Sequence, residues 1–166
     1  VNLKTNLSAN LWNTQINMND FDDVILNMSI NSLHAMPNGG SLIVTTANET
    51  LSPDKAAMLN TKPGDYVVLT IEDNGLGMSE EVKNKIFDPF FTTKKDKGTG
   101  LGLSQAYGFI QSSGGIIKVD SAVGVGSCFT LYFPRYITKE DTFTLEKVPE
   151  QKLTGNETIL VVDDEK

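Results

Sequence analysis

The chain has 166 residues, enough for one domain with tails, and 39% are hydrophobic, so it can bury a core of its own. A net charge of -7 argues against a general nucleic-acid binder, and the single cysteine, Cys128, excludes an internal disulfide framework. No apolar run approaches the roughly 20 residues that cross a bilayer, so a cytoplasmic location without membrane contact is expected.

Residues 3–18 read as one or two short strands. Asn19 and Asp20 then cap a helix running to about Ala35, which the proline and glycines of "PNGG" end. "SLIVTTANET" is a strand, and residues 50–64 form a polar connection around a possible short helix. "DYVVLTIED" is a strongly β-branched strand running into the glycines of "DNGLGM". "SEEVKNKIF" is a short helix capped by Ser79. A loop of about ten residues follows Phe91, and "LGLSQAYGFIQSSGG" is a helix stopped by Gly114 and Gly115. "IIKVDSA" and "SCFTLYFP" make a hairpin, with Cys128 as a small buried strand residue. Four N-x-S/T matches, at Asn6, Asn27, Asn48 and Asn156, are read as chance. Residues 135–157 are charged and aperiodic, a linker, and "TILVVDDEK" is a buried-type strand ending in an acidic pair. With no initial Met and an incomplete last pattern, the chain is expected to be a piece of a longer one.

Three stretches carry chemistry. On helix 20–36 the residues Asp23, Asn27, Asn31 and His34 fall within about 80° of one another at 100° per residue. Almost everything else on that helix is apolar or small, which predicts burial on most of its circumference. The polar stripe faces solvent, an internal hydrogen-bond network, or a polar ligand with a metal. An asparagine oxygen can serve Mg²⁺ without repelling phosphates. In "IEDNGLGM" a carboxylate, Asp73, ends a buried strand and could accept from the exocyclic amine of adenine, with Gly75 and Gly77 clearing space; an ordinary turn would use the same letters. "GTGLGLS" places Gly98, Gly100 and Gly102 before a helix N-terminus, an anion-binding arrangement, with Lys94, Lys95 and Lys97 just upstream. The spacing fits neither a P-loop nor a dinucleotide fingerprint. Phe87, Phe90 and Phe91 would anchor the loop as a lid.

Taken in order, these stretches resemble the catalytic ATP-binding domain of sensor histidine kinases, in the superfamily shared by gyrase, Hsp90 and MutL. "ILNMSINSLHAMPNGG" looks like the N box, "DNGLGM" the G1 box, "FDPFFTTK" the F box and "GTGLGLS" the G2 box. The likeness covers residues 1–134. It implies an α/β two-layer sandwich, a mixed and mostly antiparallel sheet of about five strands on three helices (the Bergerat ATP-binding fold). It implies ATP and Mg²⁺ as ligands, with Asn31 as the Mg²⁺ ligand and Asn27, Asn31 and Lys94 as the catalytic set. The nucleotide would be held by His34, Asp73, Gly75, Gly77, Met78, Lys94, Gly98, Thr99, Gly100, Leu101 and Gly102. Residues 158–166 look like the first strand of a receiver domain, with Asp163 and Asp164 at its metal-binding pair. The implied partners are the phosphoacceptor dimerisation domain and the receiver domain of a parent kinase that could itself be membrane-anchored. This chain would not autophosphorylate, because its one histidine, His34, lies within the N box, and it would be monomeric, because dimerisation in this family belongs to the phosphoacceptor helices. The ATPase branches carry a glutamate where Asn27 stands, and an amide cannot take a proton from water near neutral pH. That favours transfer to histidine over an ATP-driven clamp; a non-catalytic nucleotide-binding module is the third alternative.

Overall fold

The structure, a computed structural model, describes residues 1–93 and 99–138. Its elements are β1 (Asn2–Asn6), α1 (Met18–Ala35), β2 (Ser41–Leu51), α2 (Pro53–Met58), β3 (Gly64–Asp73), α3 (Glu80–Lys83), α4 (Gly102–Ser112), β4 (Ile116–Ala122) and β5 (Gly126–Pro134). They form one five-stranded sheet in the order β1-β2-β3-β5-β4. Only the β1–β2 pair is parallel. The expected architecture is present, with two long helices, α1 and α4, and two short ones. Among the described residues no helix is long and apolar enough to cross a membrane.

Helix α1 begins two residues earlier than its sequence signals suggest. The side chain of Asn17 accepts from the backbone N–H groups of Asn19 and Asp20, satisfying two donors that the helix itself cannot. The burial expected around most of α1 is not found: Leu26, Ile30 and Leu33 are exposed. In a two-layer sandwich a helix rests one face on the sheet. Here that face is the stripe Val24, Met28, Ser32 and Met36, at a spacing of four residues.

The main core lies between α1, α4 and the sheet, with Met28, Ile71, Ile110, Leu131 and Phe133 among its buried members. Phe21 meets Phe133 edge-on at 6.1 Å between ring centres. A second cluster, Leu51, Ala56, Tyr66, Val68 and Tyr132, sits around α2. Alternate residues of β3 therefore enter two clusters, which is why its sequence is an unbroken apolar run rather than an alternating one.

Residues 7–17 are not a second strand. Side chains of β2 hold the segment instead of a ladder: Ser8 N–H donates to Thr46 Oγ1, Trp12 N–H donates to Asn48 Oδ1, and Asn48 Nδ2 donates to the Asn10 carbonyl. Arg135 closes this end of the molecule, stacked over Trp12 at 4.6 Å and paired with Asp65 at 3.1 Å. Likewise the helix expected over 79–87 is helical only at Glu80–Lys83, capped by Ser79 as anticipated, before turns take over. Cys128 is half-buried rather than buried, and burial pushes its thiol up.

Candidate functional site

Asp73 is the last residue of the central strand β3, opposite Leu42 of β2 and Ser127 of β5. It is 5% exposed. Its Oδ1 accepts from Gly75 N–H at 2.9 Å and its Oδ2 accepts from Ser32 Oγ at 3.2 Å. A buried carboxylate needs such partners, since an unpaired one would cost several kcal/mol (roughly) in desolvation. The glycine loop beyond it is held by the β4–β5 hairpin. Gly124 N–H donates to the Leu76 carbonyl at 2.7 Å, and Met78 N–H donates to Ser121 Oγ at 2.9 Å. Gly77 has φ +64, and a Cβ there would lie 1.9 Å from the Ala122 carbonyl oxygen. Only glycine lets the loop and the hairpin approach this closely.

Above Asp73 a cavity of about 500 Å³ opens between α1, the glycine loop and the start of α4. Its walls bring together Asn27, Asn31, His34, Asp73, Gly77, Met78, Thr99, Gly100 and Gly102, nine of the residues expected at the site. Asn27 and Asn31 are half-buried, and His34 is exposed. Gly75 and Leu101 do not line the cavity. Gly75 packs instead on the end of α1, where a Cβ would meet the Ala35 carbonyl at 2.5 Å. Leu101 precedes α4 and its carbonyl accepts from Ser104 Oγ. Lys94, Lys95, Lys97 and Gly98 lie outside the described residues, as do the linker beyond 138, the strand expected at 158–166, and Asp163 and Asp164.

Helix α4 starts without a side-chain cap, and Gly102 and Leu103 of its first turn line the cavity; uncapped helix N–H groups of this kind can receive an anion. Gly102 lies against α1: a Cβ there would be 3.3 Å from the side chain of Asn27. Phe87 and Phe91 pack on the core as anchors, but Phe90 does not. Its backbone is left-handed (φ +66), its N–H donates to the Gly100 carbonyl at 3.0 Å, and its ring is exposed. Gly100, at φ +68, accommodates the same contact: a Cβ there would lie 2.4 Å from the Phe90 carbonyl carbon.

Two residues of the site are not among those expected there. Ser32 donates to Asp73, and Ser127 faces Asp73 across the β3–β5 pair; both line the cavity. Ser32 is detectable in principle as the one polar residue in the stripe Val24, Met28, Ser32, Met36. Ser127 needs the strand register. A larger and shallower depression of about 690 Å³ lies at the other end of α1, beside Gln15, Asp20, Phe109 and Arg135, and holds none of the expected residues.

The family model "Histidine kinase-, DNA gyrase B-, and HSP90-like ATPase" matches residues 17–137. The sensor kinase CckA of Brucella abortus is 38% identical over 99% of this chain and 18% of its own length. Sporulation kinase E of Bacillus subtilis is 32% identical over 78% of this chain and 17% of its own. The chain thus spans less than a fifth of either relative. Among solved structures, a nucleotide-free catalytic domain of histidine kinase ThkA is 26% identical with a TM-score of 0.62, covering 81% of this chain and 80% of that one.

Proposed function

We infer, from the premise that this chain belongs to the family of histidine kinase-, DNA gyrase B- and HSP90-like ATPases, that it is the ATP-binding catalytic domain of a sensor histidine kinase. The observation that carries the reading is the cavity itself. A buried carboxylate stands at its floor, two asparagines on its helical wall, and an uncapped helix N-terminus at its mouth. A purine amine would donate to Asp73 and the phosphates would meet the N–H groups of α4.

Mg²⁺ fits the donor set. Among the described residues no cluster of three acidic, cysteine or histidine side chains could hold a metal. The amide oxygen of Asn31 is a hard, neutral donor, and magnesium at nucleotides takes few protein ligands and completes its shell with phosphate and water. Bound there, the cation would neutralise charge on the phosphates. Asn31 would then fix the phosphate chain, and Asn27, beside Gly102, would offer an amide where hydrolysis would need a base. The chain's own contribution is positioning and charge stabilisation of a phosphoryl group bound for another protein.

The acceptor is a histidine on a separate dimerisation domain, the parent kinase continues past residue 157 into a receiver domain, and the chain by itself is monomeric and cytoplasmic. Mixing this chain with γ-labelled ATP, Mg²⁺ and an isolated phosphoacceptor helical domain tests the reading. Acid-labile label on the acceptor's histidine is expected. Rapid release of inorganic phosphate with no labelled acceptor would overturn it in favour of a clamp ATPase.

A further inference from the structure

The sheet covers only the stripe Val24, Met28, Ser32 and Met36 of α1. Three large aliphatic side chains of the helix are left outside: Leu26 is 58% exposed, Ile30 40% and Leu33 48%. At about 100° per residue they fall within an arc of about 60° and run along about two turns. Apolar side chains scattered singly are ordinary on a protein surface, whereas a contiguous ridge of them marks an interface. Asp22 and Asp23, both exposed, stand at the N-terminal end of this ridge, one to each side of it on the same wheel.

The ridge adjoins the site. Ile30 belongs to it and also lines the cavity, with Asn27 and Asn31. Leu76, exposed as well, lines the same cavity, and its N–H donates to the Ala35 carbonyl at the end of α1. Leu26 and Leu33 do not line it. A protein laid along the ridge would therefore border the cavity without filling it. Side chains at i, i+4 and i+7 form a ridge that seats in the groove of another helix. The two carboxylates beside it favour a helix with lysine or arginine on its flank.

We propose that the outer face of α1 is where the acceptor's helical domain docks. The contact is an amphipathic helix, with its aliphatic stripe against Leu26, Ile30 and Leu33 and its basic residues toward Asp22 and Asp23. The proposal rests on the transfer reading given above. It gives adjacent sides of one helix two tasks: Asn27 and Asn31 face the nucleotide, and the ridge beside them holds the protein that receives the phosphoryl group. Leu26 and Leu33 serve docking only, so substitution separates the two tasks.

Transfer from γ-labelled ATP to the isolated phosphoacceptor helical domain, followed against that domain's concentration, tests this, beside calorimetric titration of each variant with adenosine diphosphate. In Leu26→Gln combined with Leu33→Gln, the acceptor concentration giving half the maximal rate is expected to rise about thirtyfold, the scale of burying the exposed half of two leucine side chains. Maximal rate, nucleotide affinity and melting temperature are expected to stay unchanged. Asp22→Asn combined with Asp23→Asn is expected to raise that concentration about threefold at low salt and to match the wild type at high salt. An unchanged acceptor dependence in the leucine variant would overturn the docking surface while leaving the nucleotide site intact. So would a nucleotide affinity that falls in step with transfer, since the face would then act on the cavity. A wild-type chain that pairs with itself, and that the leucine substitutions make monomeric without effect on the acceptor, would give the face to a second copy instead. An unchanged dependence in the aspartate variant at low salt would overturn the basic flank. A wild-type chain that binds the nucleotide but never labels the acceptor would overturn the transfer reading itself.

Discussion

Replacing Asp73 by asparagine changes one atom at the floor of the cavity. The carboxylate holds two donors, Gly75 N–H at 2.9 Å and Ser32 Oγ at 3.2 Å. An asparagine has one oxygen and one amino group to meet them. The backbone N–H cannot turn away, so the oxygen settles on Gly75 and the amino group takes the place of Oδ2. Ser32 can rotate and accept from it, so the fold loses only ~1 kcal/mol. The ligand fares worse: its amine meets a donor and loses a charge-assisted hydrogen bond of ~1.5–3 kcal/mol, roughly 10- to 150-fold in Kd. With donor facing donor, a loss of about a hundredfold is expected. Lys94→Ala removes one positive charge from the sequence just before the glycines of "GTGLGLS", and a smaller loss of ~1 kcal/mol or about fivefold is expected. Displacement of a fluorescent ATP analogue from both variants, with melting curves to establish folding, gives the comparison. Equal affinities for the two variants would refute the assignment of Asp73 to the base.

Gly77→Ala puts a Cβ against the Ala122 carbonyl at a positive φ; a loss of ~2 kcal/mol or more is expected, seen as a melting point lower by about 5 °C together with lost nucleotide binding, and an unchanged melt would contradict it. Asn31→Ala should leave metal-free ATP binding nearly intact but remove most of the gain that Mg²⁺ gives the wild type, in titrations run with and without the cation; an equal gain in both proteins would place the metal elsewhere. Burial holds the Cys128 thiol above its ordinary range, so less thiolate is present at any given pH. Alkylation of the native chain should then run slower and keep rising with pH after the urea-unfolded chain has levelled off, and superimposable pH curves would argue against that burial.

Much of this site is legible from letters because its constraints are local. Gly77 and Gly100 mark close backbone approaches, and Asp73 ends a strand whose apolar run announces burial on both faces. What escapes the letters depends on register and layers. Asn17 rather than Asn19 caps α1, since Asn17, Asn19 and Asp20 could all serve and only the path of the chain decides. Leu26, Ile30 and Leu33 look like core on a helical wheel, but the sheet covers one side of the helix. Phe90 looks like its neighbours Phe87 and Phe91, yet it takes a left-handed backbone and its ring is exposed. Ser127 joins the cavity only because β3 and β5 pair with Asp73 opposite it. Residues 7–17 have strand-like composition but face β2 through side chains, a contact that no alternation pattern encodes.

Backbone amide NMR during titration with adenosine diphosphate and Mg²⁺ reports most directly on where the nucleotide sits. The amides of Gly75, which bonds to Asp73, and of Gly102 and Leu103, at the start of α4, should shift together as ligand is added. Those of Trp12 and Arg135, at the opposite end of α1, should stay in place. Shifts gathered around Arg135 and Gly114, with Gly75 silent, would put the ligand in the shallow depression and contradict the site described for this chain.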